Sequence, residues 1–288
     1  WTLVRPEVLA LLQKLRAAGL PLRDYVGGEF YYGIKTGLNA AFVIDEATRK
    51  ELIGADPRSA EVIKPWLRGR DVKRWAVEWN GLYVIAIQNS GDRGVNHPWS
   101  NAASEGEARR IFKNTYPAIH DYLSTNEDAL QARYDKGRYW WELRACTYQA
   151  EFDKPKIVYP HFNRRPNFAY ETSGALSNDK TYIIPDGTLY LLGLLNAATT
   201  YFFLKNVVPT VQSDYMEFRI AYVGQVPISE PSTEHRAAIE EIVQQLLDLQ
   251  GKGPEVPALE AELNRLVYEV YGLTEEEIAI IEREVGAQ

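Results

Sequence analysis

An α+β fold is predicted: a mixed twisted sheet with peripheral helices, followed by an acidic C-terminal helical segment. Three observations carry it. Short β-rich runs recur through the body of the chain, apolar residues return at helical spacing in Pro6–Ala18, and everything beyond Ser229 is helical in pattern and strongly acidic. The 288 residues can hold one large domain or two small ones. Residues 1–228 are read as the α+β body and residues 229–288 as a helical hairpin or extension packed on the body or on a partner.

Pro6–Ala18 is the first element. Val8, Leu11, Leu12 and Leu15 form its apolar stripe and Gly19 its stop. Glu29–Tyr32 and Ala41–Asp45 read as strands joined by Gly33-Ile34-Lys35-Thr36-Gly37-Leu38-Asn39, which lacks the spacing of a phosphate-binding loop. Asp45 can cap a short helix through Leu52. Val72–Trp79 and Leu82–Gln88, joined by Asn80-Gly81, predict a hairpin with a type I′ turn. Ser104-Glu105-Gly106-Glu107 has capping-box spacing and should open a helix to Lys113, and Pro117 opens another turn. Lys156–Tyr159 and Thr181–Ile184 read as strands, and Leu189–Leu204 as one largely buried helix. Thr233–Gln250, Pro257–Tyr271 and Thr274–Val285 read as three acidic amphipathic helices.

Net charge is −7, yet residues 229–288 hold 14 acidic and 4 basic side chains, a net of −10. The body therefore carries 28 basic and 25 acidic residues, a net of +3, with local clusters. The densest is Lys64–Trp75, where five cationic side chains and two indoles fall within twelve residues. Arg forks can grip phosphate or a guanine edge, and Trp faces can stack on bases. A solvated basic loop anchored by its tryptophans fits the same pattern. Gly137–Arg144 is a second basic-aromatic block, equally readable as a buried aromatic cluster with two surface arginines.

Other chemistry is poorly represented. The four histidines are scattered, which disfavours a metal site of usual spacing. The single Cys146 excludes a disulfide framework and fits a reducing, cytoplasmic setting. Glu151, Asp153, Lys154 and Lys156 form a loose nuclease-like group of a kind common on any surface. The longest apolar stretch, Leu189–Leu204, contains Asn196, Thr199 and Thr200, so no membrane span is expected. There is no Pro-Pro pair for an adenine-methylation loop, and no convincing glycine-rich turn for S-adenosylmethionine. The start at Trp1 suggests a fragment of a longer protein.

Several blocks taken together resemble one family. They are Gly33–Phe42, Ile63–Trp75 with its Leu-Arg-Gly-Arg-Asp core, Trp141–Arg144, Lys154–Pro160, Ser177-Asn178-Asp179, Leu192–Asn196 and Tyr222–Ile228, with Leu263–Glu277 as a helical end. The sequence is similar to the TaqI-like C-terminal specificity domain of type IIG restriction–modification enzymes and adenine-specific DNA methyltransferases. The resemblance implies sequence-specific recognition of double-stranded DNA, with methylation left to an N-terminal methyltransferase domain of the same protein. S-adenosylmethionine would bind in that separate domain and no cofactor in this chain.

On that reading Lys35, Arg68, Lys73, Arg74, Arg138 and Lys156 are candidates for phosphate contacts and Arg70 is a further DNA-binding candidate, although Arg68 and Arg70 could instead buttress the fold. Asn39, Arg164, Arg165 and Asn167 are candidates for base edges. Phe162 and Trp66 are candidates to fill the gap left by a flipped base. The competing reading is a protein-interaction or carbohydrate-binding module using the aromatic surface. A third is a hydrolase whose site assembles from residues distant in sequence.

Overall fold

The computed structural model describes residues 5–211 and 214–286. In chain order its strands are β1 (Leu20–Pro21), β2 (Tyr31–Tyr32), β3 (Val43–Asp45), β4 (Ile63–Leu67), β5 (Leu82–Ile85), β6 (Lys156–Pro160), β7 (Phe162–Asn163), β8 (Ala169–Glu171), β9 (Leu176–Ser177), β10 (Thr181–Pro185), β11 (Met216–Glu217) and β12 (Pro227–Ile228). The helices are α1 (Pro6–Ala17), α2 (Leu22–Tyr25), α3 (Asn39–Phe42), α4 (Glu46–Ala55), α5 (Glu105–Thr115), α6 (Pro117–Ser124), α7 (Glu127–Ala132), α8 (Leu189–Asn196), α9 (Ala198–Val207), α10 (Ile220–Val223), α11 (Thr233–Asp248), α12 (Val256–Val270) and α13 (Glu275–Val285).

Unbroken apolar runs in β6 and β10 are the pattern of strands covered on both faces. Side chains alternate across a strand, and here the alternation sorts them between two cores. Ile157, Tyr159, Tyr182 and Ile184 join one core, while Val158, Ile183 and Ala169 join the other. The antiparallel sheet β2-β10-β6-β8 is thus the partition of the molecule. One core is closed by α1, α8, α9 and the acidic helices α11–α13. The other is closed by the mixed sheet β3-β5-β4-β9 and by α5 and α6. Two small ladders, β1 with β12 and β7 with β11, tie chain segments together at the margins.

Local signals act as expected at several ends. Asp45 Oδ1 accepts from Thr48 N–H at 2.8 Å to start α4, and Ser104 Oγ accepts from Glu107 N–H at 3.2 Å to start α5. The Glu107 carboxylate reaches one residue further back than the box predicts, to Ala103 N–H. The three acidic helices form close to the expected limits, and their stripe residues Ile239, Val243, Leu246, Leu263 and Val267 are buried. No helix among the described residues is long and apolar enough to cross a membrane.

Three expectations fail. The strand expected over Ala41–Asp45 begins only at Val43, because Asn39–Phe42 form the helix α3. Residues 72–79 do not pair with β5, which lies between β3 and β4 instead. Val72 bridges Val77 in a short loop of its own. The reason is Asp71, whose buried carboxylate draws Arg68 N–H, the Arg68 guanidinium and Asn80 Nδ2, all within 3.0 Å. A buried charge left unpaired costs more than a few ladder bonds. The expected helix Leu189–Leu204 is also broken, at Ala197, whose ψ of 158° is extended. Asn196 turns its amide to the backbone of Phe168, accepting from N–H at 3.2 Å and donating to C=O at 2.9 Å. Asn264 Oδ1 then caps Ala198 N–H at 2.8 Å.

Gly193, inside α8, marks where α11 and α12 press closest. A Cβ there would lie 2.9 Å from both Ile239 Cγ2 and Val243 Cγ2. Gly→Ala in a helix interior normally stabilises by about 1 kcal/mol, whereas overpacking a core costs about 1–3 kcal/mol. Gly193→Ala should therefore lower the urea midpoint of unfolding. A raised midpoint would show the acidic helices to be loosely docked.

Candidate nucleic-acid interface

The tight turn between β9 and β10 gathers the cationic loops. Ser177 and Asn178 close it locally: Thr181 Oγ1 donates to Asn178 C=O and lies within hydrogen-bonding reach of Ser177 Oγ, each at 2.7 Å. Its outward backbone groups then hold three other segments. Gly33 N–H donates to Thr181 C=O at 3.0 Å and Ile34 N–H to Ser177 C=O at 2.6 Å. Asn178 N–H donates to Leu67 C=O at 2.9 Å, and His161 N–H to Lys180 C=O at 2.9 Å. Gly33 and Gly69 fit because neither has a side chain. A Cβ would sit 1.7 Å from Asn178 O at Gly33 and 2.8 Å from Lys180 O at Gly69. A second backbone bond, Trp75 N–H to Phe168 C=O at 3.1 Å, lays loop 68–75 beside loop 161–168.

Trp75 itself has φ of 71°, a conformation costly for a bulky residue. It is held by burial of its ring and by Nε1–H donating to Glu260 Oε1 at 2.6 Å. Glu260 also meets Arg74 Nε at 3.2 Å, while Arg74 Nη2 donates to Asn196 C=O at 2.9 Å. Arg74 thus braces the loop against α12. Arg68 is likewise engaged with Asp71. Lys73 and Arg70 remain exposed, with Lys73 Nζ donating to Arg70 C=O at 2.7 Å.

Among the other sequence candidates, Lys35 and Asn39 are exposed on the loop docked at Ser177–Thr181. Arg164 and Arg165 are exposed, with their guanidinium groups over Tyr215 and Tyr201. Asn167 is half-buried. Phe162 is 40 % exposed and stacks on His161, ring centroids 4.2 Å apart. Arg138 is exposed but bonded to Ser100 C=O and lying over Tyr139, away from the concavities around Lys35.

Two candidates are corrected. Lys156 is fully buried, paired with Glu171 and donating to Phe152 C=O at 2.6 Å, so it cannot reach a phosphate. Its burial depresses its pKa, and Glu171 opposes that. Trp66 is 1 % exposed and fills the core under β4, so it cannot enter a duplex. The nuclease-like group dissolves as well. Lys154 pairs with Glu151 and Asp186, and Asp153 with Lys64. No group of three or more His, Cys, Asp or Glu among the described residues is placed to hold a metal.

The face also contains residues that sequence reasoning missed. A concavity of about 450 Å3 is lined by Tyr32, Gly33, Lys35, Arg144, Cys146, Tyr148, His161, Asp179 and Lys180. A shallower one of about 280 Å3 continues it through Lys35 to Asn39 and Asp135. Arg144 meets Asp135 at 3.2 Å, Lys35 meets Asp135 at 3.9 Å, and Lys180 meets Asp179 at 3.5 Å. Nearby, Glu217 joins Arg219 at 2.7 Å and His161 at 3.1 Å. The Arg219 hydrogen bond holds the Glu217 carboxyl below its usual range, and burial pushes the His161 imidazole down. The two walls are joined by buried Arg133, which donates to Thr36 C=O on one side and to Trp140 and Glu142 C=O on the other. The blocks Ser177-Asn178-Asp179 and Trp141–Arg144 were the available signal for Lys180 and Arg144. A larger cavity, about 670 Å3 between α12 and α13, has Glu260 and Glu282 against Arg265 and is ill suited to an anion.

Residues 64–228 match the TaqI-like C-terminal specificity domain family. The type II methyltransferase M.BanIII of Aneurinibacillus aneurinilyticus is 23% identical over 229 residues, 75% of this chain and 37% of that protein. The chain therefore spans little more than a third of this relative's length. Among solved structures, the type IIL restriction–modification enzyme MmeI in complex with DNA superposes with a TM-score of 0.59 at 16% identity, covering 87% of this chain and 34% of MmeI. The type IIG restriction endonuclease BpuSI gives a TM-score of 0.45 at 10% identity over 93% of this chain and 33% of its own. The MmeI likeness is one of fold.

Lys156→Met should strand the Glu171 carboxylate and destabilise the fold by about 3–5 kcal/mol. Lys156→Met with Glu171→Met should recover most of that loss in thermal or urea unfolding. Neither variant should change affinity for nucleic acid where the protein is folded. A selective loss of binding with stability intact would return Lys156 to the interface.

Proposed function

The chain belongs to the TaqI-like C-terminal specificity domain family, and from that premise we propose that it reads a short sequence of double-stranded DNA. It does so as the specificity domain of an adenine-N6 DNA methyltransferase or type IIG restriction–modification enzyme. Catalysis and S-adenosylmethionine belong, on this reading, to a separate N-terminal domain, which is also its intramolecular partner. One observation supports it: the loops 33–39, 68–75 and 161–168, each bearing exposed cations, are anchored by backbone contacts to the single turn Ser177–Thr181, which bears Lys180. That MmeI, of like fold, is known in complex with DNA supports it.

The division of labour follows from side-chain chemistry. Lys35, Arg70, Lys73, Arg144 and Lys180 are exposed cations on loops of different origin. They suit phosphates, contacts that fix register without reading sequence. Arg164, Arg165, Asn167 and Asn39 have the fork and amide geometries that match guanine and adenine edges. Phe162, exposed and backed by His161, is the ring free to wedge into a stack. A second reading rests on Trp79. This indole is 45 % exposed, edge-on to Tyr83, and borders a groove of about 500 Å3 with Pro65 and Tyr170. It would suit a sugar or an apolar peptide.

Salt separates the two. Phosphate contacts release counterions, so log affinity for duplex should fall with log salt by about 0.9 per phosphate engaged. An aromatic sugar or peptide site would be nearly indifferent. Within the DNA reading, Lys73→Ala should weaken all sequences alike and flatten that slope by about one unit. Arg164→Ala with Arg165→Ala should instead reduce the preference for the cognate site, each bidentate contact contributing about 1–3 kcal/mol of discrimination. Binding that ignores salt would sink the reading.

A further inference from the structure

The 450 Å3 concavity has a volume within the range of about 300–1,000 Å3 seen in small-ligand sites. Its lining combines two chemistries. Tyr32 is 52 % exposed, the Tyr148 ring is stacked on Tyr31 at 4.7 Å, and the His161 imidazole is stacked on Phe162 at 4.2 Å and meets Tyr182 edge-on at 5.3 Å. Lys35, Arg144 and Lys180 supply positive charge, and only Asp135 and Asp179 answer it, two of the three pairs lying at 3.5 Å or more. A sugar site would not need the cations, and an inorganic phosphate site would not need the rings.

We propose that this cavity receives one unstacked nucleotide of a bound strand, its base against the Tyr32, Tyr148 and His161 rings and its phosphate among Lys35, Arg144 and Lys180. The proposal rests on the DNA reading above and adds a specific pocket to it. Ring stacking tolerates any base because every base has a π-face. The base must leave the helix to enter, so nucleotides that are already unpaired enter most readily. The position of the cavity is consistent with this. It opens between the loop bearing Lys35 and the turn bearing Lys180, the segments joined by Gly33–Thr181 and Ile34–Ser177 backbone bonds.

Cys146 makes the test direct, because the only cysteine of the chain lines this cavity and is half-buried. Its alkylation by iodoacetamide can be followed on the whole chain. Deoxyadenosine 5′-monophosphate should slow labelling at concentrations where deoxyribose 5-phosphate and inorganic phosphate do not. Tyr32→Ala should remove that protection and Lys180→Ala weaken it, with far-UV circular dichroism confirming that both variants are folded. A duplex with a single-nucleotide bulge should protect at about tenfold lower concentration than the same duplex fully paired. Four results would overturn the proposal: no protection by the mononucleotide, equal protection by deoxyribose 5-phosphate, protection that survives Tyr32→Ala, or no preference for the bulge. If salt-dependent duplex binding persists beside any of these, only the pocket assignment falls. If duplex binding is absent too, both readings fall.

Discussion

The Ser177–Thr181 turn is the constraint on which the candidate interface depends. Its peptide groups accept from Gly33, Ile34 and His161 and donate to Leu67, so segments far apart in sequence share one backbone anchor. Backbone bonds are insensitive to side-chain identity, so such an anchor leaves the neighbouring side chains free to vary without releasing the loops. Gly33 and Gly69 are the exceptions, because the approach of the partner carbonyls leaves no room for a Cβ. A rigid frame with variable tips is the physical requirement for reading sequence, since groups that recognise base edges must be held to fractions of an ångström.

The frame is stiff because the central sheet is buried on both sides. Each of β6 and β10 sends alternate side chains into different cores, so neither core can loosen without disturbing the other. The acidic helices take part in this directly. Glu260 on α12 accepts from Trp75 and pairs with Arg74, holding loop 68–75 in a strained conformation against the outer surface of the core. The negative charge of that segment is in part a counterweight to the basic loop it braces.

Cations in and beneath these loops fall into two kinds. Arg74, Arg133 and Lys156 are half-buried or buried and satisfy carbonyls or carboxylates, so they shape the frame. Lys35, Arg70, Lys73, Arg144, Arg164, Arg165 and Lys180 are exposed, and the ion pairs of Lys35 and Arg144 with Asp135, of Lys180 with Asp179 and of Lys73 with Glu78 are the solvated kind that contribute little to stability. Such pairs exchange readily for a phosphate.

Sequence alone determined the features that depend on nearest neighbours. The amphipathic stripes of α1 and α11–α13, the Asp45 and Ser104 caps, and the apolar runs of β6 and β10 could all be read locally, since each is fixed by residues within one or two turns. The ordered family blocks extended that reading to the specificity-domain fold. What depends on contacts across the chain could not be read. Asn80-Gly81 has hairpin chemistry but yields to buried Asp71, and Leu189–Leu204 looks continuous until Asn196 finds Phe168. Lys156 and Trp66 match the composition of a binding site, yet they sit inside it only in sequence. Lys180, Arg144 and the cavity they share with Tyr32 exist only after folding. A charge becomes a ligand contact when the fold leaves it without a better partner, and that depends on burial, which a linear pattern does not encode.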